Sequence, residues 1–243
     1  MKQAQIRYLP KLDYAATEAI NTLCTNITFT GDDVKTIQLT SCRESEGKTL
    51  LSVSVWTTLA QMGLRTVLLD ADLRRSSVNA KCGVKYQEEP LGLSHYLNKK
   101  DIPADDVLYE TNISNAFLIP VGREVVNSMQ LLSSPRLDEL IKGLKEDFDY
   151  IIIDTPPVGA IVDAATIAKR CDGTLLVVTQ NKTTKEEVLS AKRQIEQAGC
   201  PVLGTVLNHV DMKSRSSRYY NSAAYYSAYR SNYYTKTGKK GKK

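Results

Sequence analysis

Residues 36–49 read TIQLTSCRESEGKT, and LLSVSVWTTLAQM follows at 50–62. Ile37 and Leu39 lie in a stretch that runs into a polar turn, after which Gly47-Lys48-Thr49 opens a helical run. Strand, loop and helix in that order is the context a phosphate-binding loop requires. Backbone N–H groups at a helix N-terminus have no intrahelical partners and carry about half a positive charge, so they attract phosphate. Lys48 would add a full charge for β- and γ-phosphates, and the Thr49 hydroxyl is a candidate Mg²⁺ ligand. The usual spacing is G-x-x-x-x-G-K-[ST], and Cys42 stands where its first glycine belongs. A bare G-K-T also occurs at an ordinary strand-to-helix turn with a surface lysine. The assignment therefore depends on the rest of the chain.

Working outward, residues 13–28 place Ala16, Ile20, Leu23 and Ile27 on one helical face. The helix after the loop is expected to end near Gly63, and RTVLLD (65–70) reads as a buried strand. A short helix is predicted at 91–97 and a strand at 116–120, stopped by Pro120. Ser134 and Pro135 open a helix to about Lys145, as N-cap and first helical residue. DYIIID (149–154) is the strongest strand, followed by a helix at 162–170 and the strand TLLVVT (174–179). Thr184 caps a helix with Glu186 and Glu187 in its first turn, and VLGTVLN (202–208) is the last strand. Alternating helices and apolar strands predict one α/β domain, a doubly wound, mostly parallel sheet flanked by helices, over residues 1–211.

The whole chain narrows the function classes. Its 243 residues suffice for a hydrophobic core without disulfide or metal staples. Five scattered cysteines and two distant histidines, His95 and His209, argue against metal clusters and for a reducing compartment. No apolar run approaches the roughly 20 residues of a membrane span, and the first residues lack the apolar core of a secretion signal. A cytoplasmic location is expected. The net charge of +5 hides a division. Residues 212–243 carry nine Lys and Arg with no acid, which leaves the first 211 residues at −4. That segment has no Leu, Ile or Val and is expected to be a disordered tail. It holds seven of the 13 tyrosines: Tyr219, Tyr220, Tyr225, Tyr226, Tyr229, Tyr233 and Tyr234.

In an open parallel sheet, ligands sit outside the carboxyl ends of the strands. The second strand ends in Asp70-Ala71-Asp72-Leu73-Arg74-Arg75, the strand 149–154 in Asp154-Thr155-Pro156-Pro157, and the last in Asn208. A single Asp after a strand is commonly a turn or cap. Three carboxylates converging on a lysine and a threonine beside a phosphate loop form the pattern of a magnesium-nucleotide site. Trp56 reads as core. His209 reads as a loop residue near the base position, and Arg74 and Arg75 as a phosphate clamp or as solvated surface.

These residues carry a family resemblance. LLDADLRR (68–75) resembles the second Asp motif of the bacterial tyrosine kinases, P-loop relatives of the MinD/ParA ATPases. YIIIDTPP (150–157) is similar to their Walker B motif and GTVLN (204–208) to their base-contacting strand end. EAINTLCTNITF (18–29), GLSHYL (92–97) and the tyrosine-rich C-terminus extend the likeness over nearly the whole chain. The resemblance implies ATP and Mg²⁺ as cofactors. It assigns phosphate binding to Ser45, Glu46, Gly47, Lys48, Thr49 and Leu50, with Lys48 solvent-facing, and adenine contact to Asn208. It assigns the metal to Thr49, Asp72 and Asp154, and catalysis to Lys48, Asp70 and Asp72, with Asp70 orienting the acceptor hydroxyl. The seven tail tyrosines would be phosphoacceptors.

Two departures stand out. Glu44-Ser45 replace the family's Pro-Gly, and a positive φ at Ser45 would cost about 1–3 kcal/mol and weaken nucleotide binding. The family's oligomer contact reads Glu-x-x-Arg-x-x-Arg, whereas Glu18 is followed here by Asn21 and Cys24. Ring assembly through those ion pairs is not expected.

The implied function is an ATP-dependent protein-tyrosine autokinase. It would phosphorylate tail tyrosines between subunits and regulate capsular or exopolysaccharide synthesis. Implied partners are a transmembrane adaptor that activates it and holds it at the inner face of the membrane, further copies of itself, and a cognate tyrosine phosphatase. No nucleic acid is expected. A MinD/ParA-like positioning ATPase is the alternative, but membrane-cycling relatives end in an amphipathic helix, and this tail offers no Leu, Ile or Phe for one. A non-catalytic module binding nucleic acid through interleaved Lys, Arg and Tyr is the remaining class.

Overall fold

A computed structural model describes residues 2–159 and 162–211. The tyrosine-rich segment 212–243, with its seven candidate acceptors, lies outside the described residues. Strands β1 (Lys2–Gln5), β2 (Thr36–Ser41), β3 (Thr66–Asp70), β4 (Lys85–Tyr86), β5 (Tyr109–Thr111), β6 (Ala116–Ile119), β7 (Tyr150–Asp154), β8 (Gly173–Thr179) and β9 (Val202–Asn208) form one nine-stranded sheet. Its order is β4-β1-β5-β6-β3-β7-β2-β8-β9. The strands from β6 to β9 run parallel, as the apolar runs predict. Antiparallel pairs occur at β1/β4 and β5/β6. Three strands, β1, β4 and β5, were not foreseen, because KQAQ, KY and YET carry no apolar run to mark them.

The central strands are apolar on both faces because each face is covered. Val67, Leu69, Ile151 and Ile153 join one buried cluster, whereas Leu68 and Ile152, alternating with them, join the other. Helices α1 (Tyr14–Thr28) and α2 (Lys48–Gln61) cover the second face. The first is covered by α4 (Leu93–Asn98), α6 (Pro135–Asp147), α7 (Asp163–Ala168) and α8 (Lys185–Gln197). Two further short helices are α3 (Val78–Cys82) and α5 (Ser128–Leu132). The local signals act as read: Ser134 accepts from the Arg136 N–H, and Thr184 and Glu187 close a capping box. Trp56 is fully buried, its indole donating to the Thr66 carbonyl at 3.2 Å.

α2 is buried almost all round, so its N-terminus is fixed by core packing. From β2 the chain leaves toward β3, and from β7 it crosses β2 to reach β8. The connections diverge there, and a crevice opens at the carboxyl ends of the strands. On α1, Asn21 is exposed but Cys24 is fully buried, its thiol 3.8 Å from the Val55 carbonyl. The position where the family motif carries its second arginine faces the core of this chain. No helix among the described residues is long and apolar enough to cross a membrane.

Candidate nucleotide site

A cavity of about 690 Å³ opens at this crevice, lined by Ser45, Gly47, Lys48, Thr49, Asp72, Arg74, Pro156 and Val125, among others. Gly47 caps α2 at φ +89°, a left-handed turn that brings the Lys48 and Thr49 backbone to the cavity. Ser45 stands at φ +62°, so the strained turn anticipated for it is present. The next residue, Glu46, anchors the loop: its buried carboxylate accepts from the Arg43 N–H at 2.8 Å and the Thr179 N–H at 3.3 Å. Thr183 also donates its hydroxyl to Glu46. The Glu46 side chain therefore points away from the phosphate position and fastens the loop to the end of β8. Only its backbone remains for the role assigned to it.

Lys48 is not solvent-facing. Its side chain is 13% exposed and its ammonium lies 3.2 Å from Asp72 Oδ2, a partner only 7% exposed. A lysine at the first turn of a buried helix, beside strand-end carboxylates, has protein on most sides. Asp154 closes β7, fully buried, and accepts from Ser52 Oγ at 2.9 Å. Ser52 was not foreseen as a site residue, although it sits four residues after Lys48 and hence on the same helical face. Thr49 lies beside Asp154, yet Asp154 Oδ2 has no hydrogen-bond partner of normal geometry. A buried carboxylate oxygen without a donor suits a cation position. Among the described residues no three His, Cys, Asp or Glu side chains converge as a metal cage. Mg²⁺ commonly uses one or two carboxylates and completes its shell with water and phosphate oxygens, so the donor set fits it.

Asp70 and Asp154 are register partners across β3 and β7. Asp70 is fully buried, accepting from Ser76 Oγ and, at 3.4 Å, from the Asp72 N–H. Asp72, not Asp70, forms part of the cavity wall. As the last residue of an interior strand, Asp70 lies behind the turn, outside the cavity wall. Burial, and then the neighbouring Asp154 charge, hold its carboxyl well above the usual range. Burial also raises Asp154, opposed by Lys48, Thr49 and Ser52.

A raised carboxyl pKa contributes stability at acid pH that is lost as pH rises through the folded-state value. Asp70→Asn is therefore expected to raise the Tm of the nucleotide-free chain at pH 7–8, by about 2–4 °C for each kcal/mol recovered. The gain should vanish near pH 4, where the unfolded-state Asp also binds its proton. Thermal unfolding of both proteins across that range checks the sign. A gain that does not change with pH would contradict it.

Asn208 ends β9 and donates its amide to the Glu46 carbonyl at 2.9 Å. A Cβ on Gly47 would lie 2.1 Å from that amide nitrogen. Asn208 thus sits against the phosphate loop with one amide hydrogen held by Glu46, and its second amide hydrogen and its Oδ1 remain for a base contact. His209 pairs with the Thr179 hydroxyl at 3.3 Å, the ordinary loop role. Arg74 donates to buried Asp163 at 2.9 Å, and Ser128 donates to the same Asp163 oxygen. Arg75 meets Glu44 at 3.5 Å with both side chains exposed, a pair of little energetic weight. Leu50 is half-buried on α2.

Residues 34–197 match a family model described as an AAA domain. Tyrosine-protein kinase CpsD of Streptococcus pneumoniae serotype 4 is 38% identical over 211 residues, 86% of this chain and 89% of that protein. Tyrosine-protein kinase YwqD of Bacillus subtilis is 30% identical over 202 residues, 82% of this chain and 84% of that protein. The kinase domain of the Escherichia coli tyrosine kinase ETK superposes with a TM-score of 0.76 at 29% identity, covering 82% of this chain and 77% of that one. The septum site-determining protein MinD of Pyrococcus horikoshii shares the fold at a TM-score of 0.63 and 24% identity, covering 74% and 72%.

Proposed function

Because the chain belongs to the bacterial tyrosine-protein kinases, we propose that it transfers the γ-phosphoryl group of ATP to tyrosines of its own 212–243 segment, between subunits. The observation that carries this reading is the cavity where Lys48, Thr49 and Asp72 meet above Asp154, with one buried carboxylate oxygen unpartnered. Phosphoryl transfer needs charge neutralisation and in-line positioning more than covalent help from the protein. Backbone N–H groups from Ser45 to Leu50 would hold the phosphates, and Lys48 would neutralise charge developing on them. Thr49 and Asp154 would hold Mg²⁺, which supplies further neutralisation. Asp72 would join them once Lys48 turns from it to phosphate.

The acceptor oxygen forms its bond to phosphorus as the bond to the ADP oxygen breaks. The phenolic proton then passes to a carboxylate late in transfer. Asp72 is the carboxylate on the wall, and Asp70 would act through it by holding the turn with Ser76. Asn208 would border the base.

The proposal extends to capsular or exopolysaccharide synthesis as the regulated process. It also includes a transmembrane adaptor, self-association and a cognate phosphatase as partners, with attachment at the inner membrane face through the adaptor. Similarity to tyrosine kinases at 38% identity, against a likeness of fold alone to MinD, favours transfer to protein over a positioning ATPase. Incubation of the full chain with labelled ATP and Mg²⁺ tests it. Phosphotyrosine mapping to residues 219–234 is expected, and ATP hydrolysis with no labelled tyrosine would overturn the reading.

A further inference from the structure

We propose that a second cavity, walled by Ser94, His95, Lys99 and Arg123, is a subsite for a phosphotyrosine adjacent in sequence to the tyrosine being phosphorylated, so that one phosphate in a tyrosine pair speeds addition of the next. This rests on the kinase reading above and adds a rule for the order of modification.

The cavity measures about 370 Å³ and lies between α4, with the residues just before it, and the segment after β6. Lys99 and Arg123 contribute two exposed cations, and neither has an ion-pair partner among the described residues. His95 Nδ1 accepts from the Gly92 N–H at 3.1 Å, so in the neutral ring Nε2 carries the proton and is a donor. Arg123 and Lys99 both lie close enough to lower the His95 pKa, after burial, and Glu89 is the one acid on this wall. Converging donors with little compensating negative charge form an anion site.

Its place indicates which anion. Val125 lines both this cavity and the nucleotide cavity. The partition between them is the segment 123–125, fixed on one side by Arg123 N–H to Ser94 Oγ at 3.1 Å and on the other by Val125 N–H to the Leu73 carbonyl at 2.9 Å. A peptide crossing it must send neighbouring side chains to opposite sides, as consecutive residues of an extended chain do. Six of the seven tail tyrosines stand as adjacent pairs: Tyr219-Tyr220, Tyr225-Tyr226 and Tyr233-Tyr234. The tail contains no Asp or Glu. Within that segment, phosphorylation is what gives a side chain negative charge. A pair with one phosphate can therefore place it among Lys99, Arg123 and His95 while its neighbour enters the nucleotide cavity.

The test uses the full chain and two peptides of residues 222–231, one unmodified and one carrying phosphate on Tyr225. Initial rates with Mg-ATP should show KM about tenfold lower for the phosphopeptide, equivalent to one good charge-assisted contact at a partly exposed site. In Lys99→Ala/Arg123→Ala the ratio of the two KM values should fall to about one. Equal KM values with the unaltered chain, or a preference that survives the double substitution, would overturn the subsite. If neither peptide accepts phosphate, the kinase reading fails instead. Fluorescence anisotropy of labelled phosphopeptide then decides the subsite alone, with binding lost in the double variant supporting it and unchanged binding overturning it. Inorganic phosphate and phosphatidylserine vesicles serve as competitors. Displacement by vesicles but not by excess unlabelled phosphopeptide would assign the cations to a lipid surface and overturn the proposal.

Discussion

Lys48→Met is expected to lower phosphotyrosine formation by at least about 100-fold, the scale seen when a preorganised charge-stabilising donor is removed from a transfer site. The structure explains why the loss should be chemical. Lys48 sits at the first turn of a helix whose core contacts come from other residues, including Val53, Val55, Trp56 and Leu59. Methionine has a similar length and an apolar stem, so the helix should remain seated. What disappears is the cation 3.2 Å from Asp72 that also favours ionised Asp154. Asp72 and Asp154 are then left without their ammonium, and the phosphates without their neutralising charge. Retained circular dichroism and cooperative unfolding, with phosphotyrosine lost, is the expected pair of results. A folded variant with near-normal activity would show that the loop around Gly47 is not the phosphate site.

The second large effect lies in the charge of residues 212–243. Unmodified, they carry nine positive charges beside a −4 remainder, so they should be drawn to acidic surfaces. Each phosphotyrosine adds about −1.5 to −2 near neutral pH. Seven would take the segment from +9 to roughly −2 to −5, and neutrality falls at about five or six phosphates. Attraction that brings tyrosines to a neighbouring molecule should then become repulsion, and assembly should loosen before every site is filled. Interactions of this kind decay over about 8 Å at physiological salt, so added salt should weaken association of the unmodified form. Light scattering of species with zero to seven phosphates, at low and high salt, measures both dependences. Association that ignores phosphate number and salt would leave specific tyrosine recognition as the reason for the cluster.

Much of this was legible because burial writes itself into composition. β3, β7 and β8 lie under helices on both faces and need apolar residues at successive positions, so TVLLD, YIIID and TLLVVT identify them. Their carboxyl ends share one rim of the sheet, and Asp70, Asp72 and Asp154 are brought together there. The edge of the sheet built by β1, β4 and β5 was not legible. Strands of two to four residues are fixed by partners far away in sequence, as Lys2 is opposite Tyr109. Within the site, a glutamate in a polar loop reads as solvated. Nothing local shows that Glu46 turns inward to the end of β8, because Thr179 and Thr183 arrive through the fold. The depth of Lys48 and Asp70 was hidden for the same reason: charge alone does not say which strand-end residue faces the crevice and which lies behind it.

The approach of Asn208 to Gly47 ties two distant parts of the gene together. Any side chain at position 47 meets two separate penalties, the φ of +89° and a Cβ 2.1 Å from the Asn208 amide. Shortening residue 208 relieves only the second, and it also releases the Glu46 carbonyl from its donor. Substitutions at the two positions will therefore be epistatic. Variation at one will be tolerated only in backgrounds set by the other, so the last strand and the phosphate loop must evolve as one inherited unit.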